Sequence, residues 1–157
     1  MKIKTALALL SLLASVGAHA GARSEGTVIM SQDPAGKQIE EELGFADAIV
    51  AGDKIYLSGV VAGVHDGETD LTIVYARAFD RIGDVLKSAG ASWDDVVDIT
   101  SYHIDLDNQM RAISEVKNRY VKAPFPAWTA VQVSRLIPPN GITEIKIVAN
   151  VPKAKKK

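Results

Sequence analysis

His103 and Asp105 stand two apart in a stretch rich in β-branched and aromatic residues, so their side chains share one strand face and could grip a metal ion. No third ligand stands at usable spacing, which makes a mutually satisfied surface pair the better reading. Glu144 and Lys146 share a face in the same way within Glu144-Ile145-Lys146-Ile147-Val148-Ala149, where a half-exposed glutamate paired across the sheet or with Lys146 is the plain structural expectation. Trp128 offers a single N–H donor and a large apolar face, suited to packing or to stacking on a ligand. Arg135 cannot add a charge beside it, because seven residues of extended chain put it about 23 Å away on the opposite face. With no cysteine, the chain has neither a thiol nucleophile nor a disulfide framework. It also lacks a P-loop, a glycine-rich dinucleotide turn, a nucleophile elbow, a zinc motif and a supported serine triad. No cofactor and no metal are therefore expected, and a small-molecule ligand held in a cleft remains.

The elements that must position such a cleft are readable from Phe45 onward. Ala48-Ile49-Val50, a Gly52-Asp53 turn and Lys54 to Val60 read as a hairpin. Asp70 caps a helix whose apolar positions Ile73, Val74, Ala78, Ile82, Val85, Leu86 and Ala89 fall on one face, and Gly90 ends it. Val96 to Ile104 forms a third strand, Asp107 or Asn108 caps a second helix through Met110, Ile113, Val116 and Val121, and strands over Thr129 to Leu136 and Thr143 to Val151 close the domain. The order ββαβαββ predicts an α+β domain with both helices on one face of a mainly antiparallel or mixed sheet. Residues 21–42 form a mixed lead-in to the single domain at 43–151: Gly26 to Met30 is a short strand, and Gln32-Asp33-Pro34-Ala35-Gly36 reads as a turn.

The first twenty residues have the form of a secretory signal. Lys2 and Lys4 precede an apolar run from Thr5 to Gly17, and Ala18-His19-Ala20 supplies a small-x-small cleavage site, which predicts a periplasmic or secreted chain beginning at Gly21. The run is shorter than the ~20 residues that span a bilayer, so no membrane association is expected after the signal is removed. The 157 residues less these 20 leave 137, with 16 basic against 19 acidic side chains. An acidic chain is poorly suited to displacing counterions from phosphates, so no nucleic-acid partner is expected. Its one basic cluster is the tail at 152–157, Lys153-Ala154-Lys155-Lys156-Lys157, read as a solvated end.

Five segments, in this order and spacing, resemble one known family. They are Leu57-Ser58-Gly59; Val85-Leu86-Lys87-Ser88-Ala89-Gly90-Ala91-Ser92-Trp93-Asp94-Asp95-Val96-Val97; Glu115-Val116 with Arg119-Tyr120; Phe125-Pro126-Ala127-Trp128-Thr129-Ala130-Val131-Gln132-Val133; and Glu144 to Ala149. They resemble the RidA (YjgF) family of imine and enamine deaminases, and the match extends over residues 43 to 151. The resemblance implies a chorismate-mutase-like fold, a homotrimer and a ligand pocket in each cleft between subunits. It also implies roles for five residues. Glu144 matches a catalytic carboxylate that activates or positions the hydrolytic water, and Ser58 matches a substrate-binding hydroxyl. Phe45 stands where many relatives have a tyrosine, and Ser114 where relatives often have an asparagine. Trp128 stands where the family usually has an arginine that grips the substrate carboxylate.

Two functions follow from this set. One is a hydrolase of the deaminase type, acting on a small imine, enamine or related C–N compound. The alternative is a protein of the same fold that binds a small molecule without turnover. Indole cannot provide the bidentate contact of a guanidinium, so hydrolysis of small imino acids is expected to be slow, and whether the chain is an enzyme stays open at this point. Ribonuclease activity, attributed to some relatives, ranks behind both because the chain is acidic and has no basic groove at usable spacing.

Overall fold

In a computed structural model, which describes residues 21–153, the last long strand forms the axis of the molecule. Residues 1–20, read above as a secretory signal, and residues 154–157 of the tail lie outside the described residues. A short helix α1 (Ala22–Glu25) leads into β1 (Thr27–Ile29), α2 (Pro34–Leu43), β2 (Ala48–Ala51), β3 (Lys54–Leu57) and β4 (Val60–Gly63). Then come α3 (Leu71–Ser88), a single 3-10 turn at Trp93–Asp95, β5 (Val96–His103), α4 (Leu106–Tyr120), β6 (Ala127–Gln132) and β7 (Gly141–Asn150). The sheet order is β1-β2-β3-β7-β5-β6, with β4 also paired to β7. Every pairing is antiparallel except β5 with β6.

Strict alternation along β7 sorts its side chains. Thr143, Ile145, Ile147 and Ala149 are buried toward the helices, while Glu144, Lys146 and Val148 face the other side. The helices cover the first face. Asp70 caps α3 by accepting from the Thr72 backbone N–H at 2.9 Å, and the helix exits through Gly90, whose φ of 78° suits a residue without Cβ. Val74, Ala78, Ile82 and Val85 fill its buried face as expected. Tyr75 and Phe79 join them, whereas Ile73 is exposed. Phe79 stacks on Trp93 at 5.4 Å and meets Tyr120 of α4 at 5.3 Å between ring centroids, tying both helices and the 3-10 turn together.

Several boundaries differ from the sequence expectation. Asp33-Pro34, read as part of a turn, begins a ten-residue helix instead: the Asp33 carboxylate accepts from Gly36 N–H at 2.8 Å, Pro34 sits in the first turn where its missing N–H costs nothing, and Gly44 closes the helix at φ 73°. The buried Glu40 fastens this helix by accepting from Ser31 N–H at 2.8 Å. The strand expected over Lys54 to Val60 breaks at Ser58-Gly59, so that β3 and β4 pair with opposite ends of β7. Asp105, and neither Asp107 nor Asn108, caps α4. The strand expected from Thr129 to Leu136 runs from Ala127 to Gln132, because after Val133 donates to the His103 carbonyl the chain leaves the sheet edge toward Pro138-Pro139. No helix among the described residues is long and apolar enough to cross a membrane.

Candidate functional site

The break at Ser58-Gly59 shapes the uncovered face of the sheet. Glu144 lies opposite Val61 of β4 and Tyr102 of β5, and its side chain folds over Gly59. A Cβ on Gly59 would stand 2.6 Å from the Glu144 Cδ and 2.7 Å from its Cγ, so only glycine leaves room for the carboxylate there. Ser58 is held from behind: its hydroxyl donates to the Ala46 carbonyl at 2.6 Å and its N–H to the Asp47 carbonyl at 2.9 Å. The hydroxyl proton is thus committed, and toward a ligand Ser58 can only accept. Next to it opens a cavity of about 430 Å³ whose walls include Arg23, Phe45, Ile49, Tyr56, Ser58 and Lys146. Phe45 is 43 % exposed and supplies an apolar wall. Glu144, Arg23 and Lys146 form no ion pair among the described residues.

The other two expected residues lie on the helix-covered face. Trp128 pairs with Ile99 across the parallel β5–β6 ladder, which turns its indole toward α4. There its Nε1–H donates to Ser101 Oγ at 3.0 Å. The Nζ of Lys117 lies 4.9 Å from the centre of the indole and 5.8 Å from that of Phe125. Ser114 is half-buried one helical turn before Lys117. The sheet therefore separates Phe45, Ser58 and Glu144 from Ser114 and Trp128. Within one chain these two sets cannot enclose the same small ligand.

His103 is not a surface residue. Alternation along β5 buries Ile99, Ser101 and His103 together, and His103 is 0 % exposed. Its Nε2 meets Ser101 Oγ at 2.9 Å, and its Nδ1 lies 3.1 Å from both Gln109 Oε1 and Thr143 Oγ1. Tyr75 extends the chain through its hydroxyl, 2.9 Å from Thr143 Oγ1. Burial holds the imidazole below the ordinary histidine range. Asp105, beyond the strand end, is spent on capping α4, so the expected pair does not exist. Among the described residues no group of three or more His, Cys, Asp or Glu side chains gathers in a metal-binding arrangement.

The arginines on the helices are mostly engaged. Arg77 forks onto Glu68, whose carboxyl it holds down to about 2, Arg81 pairs with Asp47, and Arg119 pairs with Glu115. Arg111 is exposed on the outer side of α4. Sequence reasoning missed Gly59, Tyr56 and Lys117. A signal for Lys117 was present: it falls four residues after Ile113 and next to Val116, on the stripe that α4 buries.

The sequence and the fold are similar to those of known proteins. A family model described as Endoribonuclease L-PSP matches residues 35–151. The RutC family protein YjgH of Escherichia coli K12 is 40 % identical over 124 residues, covering 76 % of this chain and 92 % of that protein. A 2-iminobutanoate/2-iminopropanoate deaminase of Capra hircus is 32 % identical over 110 residues, covering 67 % of this chain and 78 % of the goat protein. Among solved structures, that of protein YJGH aligns with a TM-score of 0.70 at 34 % identity, over 83 % of this chain and 99 % of its own. A Mycobacterium tuberculosis member of the YjgF/YER057c/UK114 family aligns at 0.69 and 28 % identity, over 80 % and 99 %. With its fold, its segment order and a model match over most of its length in agreement, the chain belongs to the RidA/YjgF family, the family described as Endoribonuclease L-PSP.

Proposed function

We propose that this protein is a hydrolase of the deaminase type, acting on a small imine or enamine in a cleft between two copies of the chain. The observation that carries the reading is the Glu144 carboxylate, seated over Gly59 without an ion-pair partner among the described residues, where Gly59 directly follows Ser58 of the cavity wall that Phe45 shares. In such a site a water oxygen bonds to the imine carbon while the C=N π pair moves to nitrogen. Glu144 accepts one water proton and returns it to nitrogen, giving a carbinolamine; it then takes the hydroxyl proton and passes it to nitrogen as the C=O bond forms and the C–N bond breaks, releasing ammonia. General acid–base help of this kind contributes about 10²- to 10⁴-fold. The deaminase names of similar proteins support the reaction class.

Assembly and export belong to the same proposal. The two sets of site residues lie on opposite faces of one sheet, and a cyclic homotrimer would let one face of each copy meet the other face of its neighbour. Light scattering should report three times the mature chain mass. The chain would be exported and begin at Gly21, which mass spectrometry of the host's envelope fraction tests. For the chemistry, imines are generated in situ and release of the 2-oxo acid and ammonia is followed with wild type and Glu144→Gln. Loss of turnover in the variant supports the hydrolase. Saturable binding of the 2-oxo acid with no turnover in wild type would make the protein a small-molecule receptor instead.

A further inference from the structure

Lys117 is a charged side chain in an unusual place. The residue is 8 % exposed, packed between α4 and β6, and no carboxylate among the described residues lies within ion-pair distance of it. Its one hydrogen-bond acceptor is neutral, the side-chain oxygen of Asn118 at 2.8 Å. Two aromatic faces back it, those of Trp128 and Phe125. An ammonium has three N–H donors, and this one spends a single donor on a protein atom. If its task were only to pin the helix to the strand, a methionine would fill the space without the cost of burying a charge.

The neighbours show where an anion would enter. Trp128 cannot bond it, because the indole N–H is already given to Ser101. What Trp128 offers is its ring face, which favours a cation beside it. Phe125 is 69 % exposed, so the aromatic side of the lysine opens to whatever docks against this edge. Ser114, one turn earlier, has no side-chain hydrogen bond among the described residues and brings a second donor to the same helix face.

We propose that Lys117 grips the carboxylate of the substrate: its ammonium, backed by Trp128 and Phe125 and flanked by Ser114, forms the anion-binding end of the cleft whose acid–base end is Glu144 of a second copy. The assignment rests on the cleft reading given above. It means that the charge needed to hold an acidic substrate comes from α4 and not from β6, as a single point charge in place of a fork. The substrate class is then a small carboxylate-bearing imine, and uncharged imines are bound less well.

The test uses the assembled mature protein and two stable probes, 2-oxobutanoate and its uncharged amide, titrated calorimetrically. Wild type should bind the acid about tenfold or more tightly than the amide, as expected for one buried charge-assisted contact. Lys117→Met should erase that preference by weakening the acid about tenfold more than the amide, and Lys117→Arg should keep it. Equal affinities in wild type, or a preference that survives Lys117→Met, would overturn the proposal. If Lys117→Met instead disrupts the oligomer in light scattering while wild type shows no preference, the carboxylate that Lys117 meets belongs to a neighbouring chain, and the proposal fails. If the variant does not fold, wild type still gives the answer, since the preference must vanish as pH rises through the titration of Lys117 and persist if Lys117 is not involved. Turnover measurements separate the two readings: no turnover in wild type refutes the hydrolase, turnover that survives Glu144→Gln refutes Glu144 as its acid–base group, and the acid-over-amide preference reports on Lys117 alone.

Discussion

Glu144 and Gly59 compete for one volume: the carboxylate of the first lies where the side chain of the second would begin. Gly59 is not among the glycines with left-handed backbone, so alanine fits its conformation. The atoms it would displace belong to the flexible end of a glutamate. Gly59→Ala should therefore change stability by less than about 1 kcal/mol and lower kcat by roughly 10²-fold or more by moving the carboxylate. Paired denaturation and turnover measurements check this. A variant that is both stable and fully active would show that the seat of Glu144 is irrelevant to the reaction.

Restoring the arginine that relatives carry should not be a simple gain. Trp128→Arg removes the donor to Ser101 and puts a guanidinium close to the Lys117 ammonium. A lost buried hydrogen bond and a like-charge contact together should cost about 1–3 kcal/mol. Adding Lys117→Met should recover part of that loss. Urea denaturation of the two single variants and the double variant measures the coupling.

The buried His103 gives a defined pH response. Its folded pKa is depressed by burial, so the unfolded chain binds the proton first as pH falls. Stability is unaffected above the ordinary histidine value of about 6.5 and is lost as pH drops from there toward the folded value, at no more than about 1.4 kcal/mol per pH unit for one proton. Chemical denaturation across this window should show the slope. His103→Gln removes the titration while keeping polar contacts to Ser101 and Thr143 within reach, and should flatten it.

Phe79→Ala tests the aromatic tie between α3, α4 and the 3-10 turn. The ring is fully buried and contacts both Trp93 and Tyr120. Its loss should cost about 3–5 kcal/mol. A shift in the denaturation midpoint without a change in slope would locate the effect in the folded state.

Local chemistry made much of this fold legible in advance. Asp70 and Gly90 bracket α3 because a side-chain cap and a left-handed glycine are written in consecutive residues, and the alternation of β7 separates Ile145 from Glu144 without any tertiary knowledge. The helix at Pro34–Leu43 was obscured because aspartate, proline and glycine serve turns and helix starts alike. His103 was misplaced because the register of β5, and not the polarity of imidazole, decides its face. For the site, the resemblance pointed to Glu144, Phe45, Ser58, Ser114 and Trp128, but only three-dimensional packing divides them between two faces. Lys117 stayed hidden because a lysine reads as solvent-facing until the two rings that cover it are in position.

The division of the site by the sheet has a genetic consequence. If each cleft takes Glu144 from one copy and Lys117 from the next, a chain carrying Glu144→Gln and a chain carrying Lys117→Met are each defective but complementary. Expressed together in equal amounts and mixing freely in a trimer, they would rebuild roughly a quarter of the clefts with both groups intact. Two inactive alleles would then yield an active protein, whereas the same two changes placed in one chain and diluted with wild type would act as a poison of its neighbours.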